Sequence, residues 1–478
     1  MESYLNRKSR LTLQMLLLLF IAAGVPLSAT AQQDDIDALL KRLTEVEAEQ
    51  AKANETIKAL RLEIEALRKE KKDDQVVAEQ QEPPAAPETE PAADTVAQKS
   101  STPPTKPATP GIFVEMDDES RFQFVTEDGD FSLGIDGTII GRYEVNRRRD
   151  DGSGESDTDQ GFQMTGTRLN FKGKLYGDFG YWARLNADTF GTDPFFDAAL
   201  ITYRVNDNTN LVVGQFPSLL TREQGTPVDK TQTTEASPTN YVFDPFAYKG
   251  IMVGYHTPRM VFRGIINDGY QSASNYAFDK QSAKWAFAGQ VSGLAVGDKD
   301  DWGRFSNFTS RPGSDFAWLL NAGFHVQEGD THSPDDDGSA DVFLGVIESS
   351  MEGDGWNFYS AGYYRYTDPN TDDKSVNDYG FVFQGGVWVA KHFELYSRFD
   401  MTIPDNDRPV ENENFRTLAA GLTYYPMAHT DNVKLLAETQ YFFDPEAYSI
   451  VQPNVFTGVR ASPAGDQYVF RIQASLRW

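Results

Sequence analysis

Basic residues recur on one side of three consecutive extended stretches: Arg168, Lys172 and Lys174, then Arg184, then Arg204. In a chain that alternates faces, residues two apart share a side. The first three therefore stand in line with Asn170, and Arg184 stands with Asn186 and Asp188. A row of cations along a wet surface attracts anions by electrostatics and makes or breaks no bond. Further charges, Glu394, Arg398, Asp400, Glu438 and Arg471, occupy the same side of later stretches. Arg222, Glu223 and Lys230 lie apart, in a long polar connection at 218–248.

Other chemistry has little to build on. The 478 residues include no cysteine, so no disulfide, thiol nucleophile or thiolate metal site exists. The five histidines (His256, His325, His332, His392 and His429) are scattered. No nucleophile elbow, Walker loop or HExxH pattern occurs, so neither enzyme activity nor a cofactor or metal is expected. Asp335, Asp337 and Asp341 loosely resemble a calcium loop but lack its twelve-residue pattern and terminal Glu; they read as a solvated loop. With 71 acidic and 44 basic residues the net charge is −27, which argues against a nucleic-acid-binding face.

The elements that carry these residues alternate apolar and polar positions. In QYVFRIQASLRW, Tyr468, Phe470, Ile472, Ala474, Leu476 and Trp478 share one face, and Val469, Arg471, Gln473, Ser475 and Arg477 the other. Leu133, Ile135, Ile139 and Tyr143 form a similar apolar face near the other end. Such runs give sixteen strands, from 131–147, 162–176, 180–189, 196–206 and 211–217 through to 467–478. Short turns alternate with long polar connections, and 297–314 is the exception among the short ones. An even strand count with this alternation predicts an all-β, sixteen-stranded antiparallel transmembrane barrel, with lipid on one face and water on the other. A barrel of that size encloses an aqueous path unless something fills it. The 218–248 connection is a candidate constriction, although its length equally permits an external loop. Trp182, Tyr203, Phe216, Tyr424, Tyr425, Tyr441, Phe442 and Phe443 fall near strand ends, where interfacial girdles are expected.

The N-terminal part is organised differently. Arg7, Lys8 and Arg10, the apolar stretch LTLQMLLLLFIAAGV and Ala29-Thr30-Ala31 compose a secretory signal over residues 1–31. Residues 32–71 carry a heptad seam, Ile36, Leu43, Gln50, Ile57 and Ile64 with Leu39, Val46, Ala53, Leu60 and Leu67, and predict a coiled-coil stalk. Residues 72–120 read as a Pro/Ala/Glu-rich linker, and 121–478 as the barrel. Export and a closed sheet place the chain in the cell outer membrane, with lipid and lipopolysaccharide around it and the stalk in the periplasm.

GLTYYP (Gly421–Pro426) and VKLLAETQYFF (Val433–Phe443) resemble the penultimate hairpin of the phosphate-selective porin family of Gram-negative outer membranes. FELYSRFD (Phe393–Asp400) resembles that family's preceding strand, and GQFPSLLTREQ (Gly214–Gln224) the strand entering its constriction loop. Here Phe216 directly precedes Pro217, where the family usually has a basic residue shortly before the Pro. Trp478 takes the place of the terminal aromatic that the barrel-assembly machinery recognises. The resemblance implies a trimeric sixteen-stranded barrel passing small anions, with a stalk that reaches peptidoglycan or reinforces the trimer. From residue 111 onward there are 53 acids and 30 bases. This balance keeps a general or cation-leaning porin in view, beside a sugar-specific porin and a barrel-anchored tether.

Overall fold

The computed structural model describes residues 112–116, 122–148, 158–187, 195–270, 283–329, 340–369, 374–408, 411–454, 456–462 and 465–478. All of these belong to the second of the chain's two compact units, Thr105–Trp478. The expected signal, heptad stalk and most of the linker lie outside the described residues, as do Asp188, His332, Asp335 and Asp337.

A hairpin, β1 (Ile112–Met116) and β2 (Phe122–Thr126), precedes the long β3 (Ser132–Arg147). The stretch read as linker therefore includes a strand, Ile112–Met116. Next come β4 (Thr158–Met164), β5 (Arg168–Leu175), β6 (Phe179–Asn186), β7 (Phe195–Asn206) and β8 (Thr209–Pro217). After two short helices follow β9 (Ala247–His256), β10 (Met260–Asn267), β11 (Trp285–Val296) and β12 (Ala317–Glu328). The rest are β13 (Asp341–Gly353), β14 (Trp356–Asp368), β15 (Val376–Ala390), β16 (Phe393–Ile403), β17 (Phe415–Tyr424), β18 (Val433–Phe442) and β19 (Gln467–Arg477).

Every neighbouring pair is antiparallel, and the sheet closes where β19 meets β3, from Tyr468 opposite Arg147 to Arg477 opposite Thr138. Both β4 and β5 pair with β3, so they form one interrupted stave; the strand expected over 162–176 breaks at 165–167. Counted this way the barrel has sixteen staves. β2 pairs with the first residues of β3, Ser132–Ile135, on the edge where β19 has ended, and so extends the wall beyond the closed belt.

Alternation sorts the side chains as the sequence predicts. Ile139, Ile201, Ile347, Leu418 and Ile472 point outward and are exposed, Ile347 at 71%. Burying such surface requires lipid, and closure satisfies every edge peptide in the hydrocarbon. The aromatic girdle is thinner than expected: Phe216, Tyr425 and Phe442 are buried, and Trp182 shares the face of Lys172. At one mouth the turns are short, as between Gly353 and Trp356 or Ala390 and Phe393. The 297–316 connection breaks that rule with a 3-10 helix at Lys299–Ser306.

Candidate permeation site

The 218–246 segment turns into the barrel. Its neck is closed by a Ser218 N–H bond to the Phe246 carbonyl at 2.7 Å. Two short helices stiffen it, α1 (Arg222–Gly225), capped by Thr221, and α2 (Pro238–Phe243), capped by Ser237 with Pro238 in the first turn. A cap oxygen accepting an N–H satisfies a donor that the short helix cannot, which fixes each helix's start. Asp244 ties the two ends together: the Ser218 and Thr221 hydroxyls donate to it at 3.2 Å, and the Phe246 N–H at 2.7 Å. Burial pushes its carboxyl up to about 7, against the lowering effect of those bonds.

The middle of the segment lies on the inner wall of β13–β19, where a row of side chains receives it. Lys434 Nζ donates to the Thr231 carbonyl (2.5 Å), and Gln232 donates to Glu394 (2.8 Å). Arg398 donates to Thr233 Oγ1 (2.9 Å) and the Glu235 carbonyl (2.7 Å). The Thr234 N–H donates to Glu438 (3.1 Å), and the Thr239 hydroxyl to Asp400 (3.0 Å). Arg471 pairs with Glu144 (2.8 Å) and Glu438 (3.5 Å). Arg222 reaches Glu352 (2.7 Å), while its N–H bonds Glu348 (2.9 Å). Glu223 accepts from the Ser237 N–H (2.6 Å) and hydroxyl (2.9 Å) and faces Arg398 at 3.5 Å. Burial raises the carboxyls of Glu223 and Glu235, with Arg398 opposing the first shift and Arg142 the second. Two inner-wall glycines make room for the segment: a Cβ on Gly380 would meet the Phe243 ring at 2.6 Å, and one on Gly386 would strike Gln232.

The far side of the segment is apolar. Leu220 and Phe243 pack with Val212, Phe216, Tyr248, Met252, Ile265 and Tyr363 in a cluster that fills part of the interior. Phe243 stacks on Tyr363 at 5.4 Å. A uniformly wet lumen is therefore not what forms; one part of it is dry. The loop at 444–462 adds to this from the same long-loop mouth, where Val451 and Val459 are buried against Phe415, Phe442 and Val469.

Among the described residues, the face of β5 and β6 is covered less completely, with Lys172 its most exposed charge. Arg168 has no hydrogen-bond or ion-pair partner among the described residues, and its Nε is buried without one. Arg184 lies diagonally beside it on β6, bonded to Asp197 at 2.6 Å and 5.2 Å over the Trp182 ring. Lys172, with its side chain 38% exposed, stands 3.2 Å from Asp136 and 5.6 Å over the same Trp182 ring. Lys174 and Arg204 sit near the short turn at 176–178, Arg204 paired with Asp178 at 2.9 Å. The structure thus brings Arg168, Lys172 and Arg184 together, puts Lys174 and Arg204 at the rim, and buries Glu394, Arg398, Asp400, Glu438 and Arg471 beneath the inner segment. Lys230 is half-buried in that segment, with its carbonyl accepting from Phe308 at 3.2 Å. Sequence reasoning missed Arg142, which pairs with Glu235 and keeps its Nε and Nη1 buried without partners. Strand parity was the signal for it, since Ile139 and Tyr143 already marked the outward face.

Residues 140–314 match the model of the family described as phosphate-selective porin O and P. No curated protein matches the chain. Among solved structures, Salmonella typhi OmpF in complex with daunomycin aligns at 9% identity and TM-score 0.50, over 73% of this chain and 98% of that one. An anion-selective porin from Comamonas acidovorans aligns at 10% identity and TM-score 0.49, over 73% and 100%. The outer-membrane channel DcaP of Acinetobacter baumannii aligns at 12% identity and TM-score 0.46, over 74% and 99%.

Proposed function

We propose that this outer-membrane channel, similar to the phosphate-selective porins, passes small inorganic anions such as phosphate by diffusion along the Arg168, Lys172 and Arg184 face. The observation that carries the reading is Arg168, a guanidinium on the inner wall with no hydrogen-bonded or ion-paired anion among the described residues, the Glu235 carboxylate acting on it only at longer range. A cation without a contacting counter-ion beside a low-dielectric wall lowers the entry barrier for anions and raises it for cations. Lys174 and Arg204, at the rim, widen the attracting field into the mouth.

The negative balance of 53 acids and 30 bases from residue 111 favours a general or cation-leaning pore instead. Reversal potentials in planar bilayers across a KCl gradient separate the two. Anion preference that falls in Arg168→Gln supports the first reading, and cation preference in the unaltered protein ends it. The assembly we favour is a homotrimer, with residues 32–71 as a periplasmic coiled coil that steadies it or touches peptidoglycan. Deleting 32–110 should leave conducting barrels but lower oligomer stability or wall attachment; unchanged values for both would remove that role. The acidic outer loops suit lipopolysaccharide held through divalent ions, and catalysis is no part of this reading.

A further inference from the structure

The inner wall carries both signs of charge, and the chain covers the half on which acids outnumber bases, with Arg398, Lys434 and Arg471 buried among the acids. On β13–β18, Glu348, Glu352, Glu394, Asp400 and Glu438 are each no more than 2% exposed. On β5 and β6, Lys172 and Arg184 keep 38% and 14% of their side chains exposed. The 218–246 segment covers Glu348, Asp400 and Glu438 from within. A separate element covers the short-turn end of the same wall: the 297–316 connection.

That connection is folded and spans part of the mouth. An Asp298–Asp301 capping box starts its 3-10 helix, and Arg304 pairs with Asp301 at 3.0 Å. Phe308 is 2% exposed and meets the Tyr359 ring edge-on at 5.2 Å. Beyond it, Trp388 donates to the Thr309 hydroxyl (3.1 Å), and Ser310 donates to the Gly353 carbonyl (2.6 Å). Arg311 bonds the Ala428 carbonyl (2.5 Å) and lies over Trp388 and Tyr425, whose hydroxyl holds Glu394 (2.7 Å). The strap thus reaches from β11 and β12 to the turn after β17. Arg222 pins it to the inner segment: its Nε bonds the Phe305 carbonyl (3.1 Å), and it lies 4.4 Å over the Phe308 ring. Arg304 also faces Glu352 at 4.0 Å.

We infer that residues 297–316 form a selectivity element, a strap that seals the acidic half of the wall at the short-turn mouth and leaves the basic face as the route for solutes. The inference rests on the anion reading above for its sign, and on the strap geometry for its location. Selectivity then comes from covering charges as well as from placing them, because a carboxylate paired with a buried arginine, as Glu352 is with Arg222, Asp400 with Arg398 and Glu438 with Arg471, is neutralised locally and is out of reach of a passing ion.

The test uses the full chain in planar bilayers. In one variant 299–313 is replaced by Gly-Ser-Gly; in a second, Arg311→Ala loosens the strap without removing it. Each is paired with Ser350→Cys, a single thiol on the wall between Glu348 and Glu352 in a chain that has no other cysteine. The expected result is higher conductance, an anion-to-cation permeability ratio that falls several-fold, and fast labelling of S350C by a cationic thiosulfonate that reacts slowly in the unaltered background. Unchanged selectivity, with S350C still protected in both variants, overturns the inference. An unaltered channel without anion preference would defeat the anion reading instead, and the labelling comparison would still decide whether the strap covers the wall.

Discussion

Enlarging Gly380 should release the inner segment while leaving the barrel whole. A Cβ at this position would stand 2.6 Å and 2.9 Å from Phe243 ring carbons and 2.7 Å from Thr239 Cγ2. Overpacking of this kind costs about 1–3 kcal/mol. The barrel can avoid the clash only by letting α2 lift off, because Gly380 itself is held in register between β14 and β16. Lifting gives up the Thr239–Asp400 bond and the Phe243–Tyr363 stack, so the strain falls on docking of the segment. A penalty of about 1–3 kcal/mol multiplies the undocked population by roughly 5 to 150. Gly362→Ala is the control: its Cβ meets only the outward Phe381 ring, at 3.9 Å. Single-channel recording of Gly380→Ala should show larger or flickering conductance, and its 218–246 segment should be cut faster by protease. Conductance and cleavage equal to those of G362A, in a barrel of equal heat stability, would refute the idea that this glycine exists to seat the segment.

Other expectations follow from the same geometry. Arg168→Gln should depress anion permeability far more than Arg204→Gln, because Arg204 is exposed at the rim and already paired with Asp178; equal losses in ion-substitution recordings would contradict the placement. Ile347→Arg on the outer face should cost about 2–4 kcal/mol in a lipid refolding titration, provided that residue meets the bilayer midplane. Asp244 has its folded value raised by burial from 3.8 to about 7, so its contribution to docking of the segment is full below 3.8 and fades as pH rises through about 7. Conductance noise or cleavage within 218–246 should therefore grow above that pH, and Asp244→Asn should flatten the dependence; a pH response unaltered by that change would assign it elsewhere.

Period-two alternation made the staves and their outward faces readable, because lipid demands apolar side chains there whatever lies inside. The closing pair is an instance, with Ile472 and Tyr143 facing out as expected and Arg471 and Arg142 facing in. The inward face carried less information. A polar residue on it can face water or receive a folded segment, and local pattern does not distinguish them. Glu394 and Lys172 both point inward, yet one is fully buried against Gln232 and the other remains in the water path. That difference depends on where 218–246 goes, a long-range outcome of Gly380, Gly386 and the Thr-rich run Thr231–Thr234 fitting one wall. The β1–β2 hairpin escaped notice for a related reason: its strands are five residues each, too short for a pattern to stand out beside a proline-rich stretch.

The seating of 218–246 separates two properties that strand number alone would couple. Circumference is fixed by hydrogen-bonded staves and resists change, since losing one would mean re-registering the whole cylinder. Bore is fixed by a single insert held through side-chain contacts, and it can be widened, narrowed or recharged one substitution at a time. A lineage could therefore retune what it admits while its membrane-facing shell, and the assembly route that depends on that shell, stayed the same.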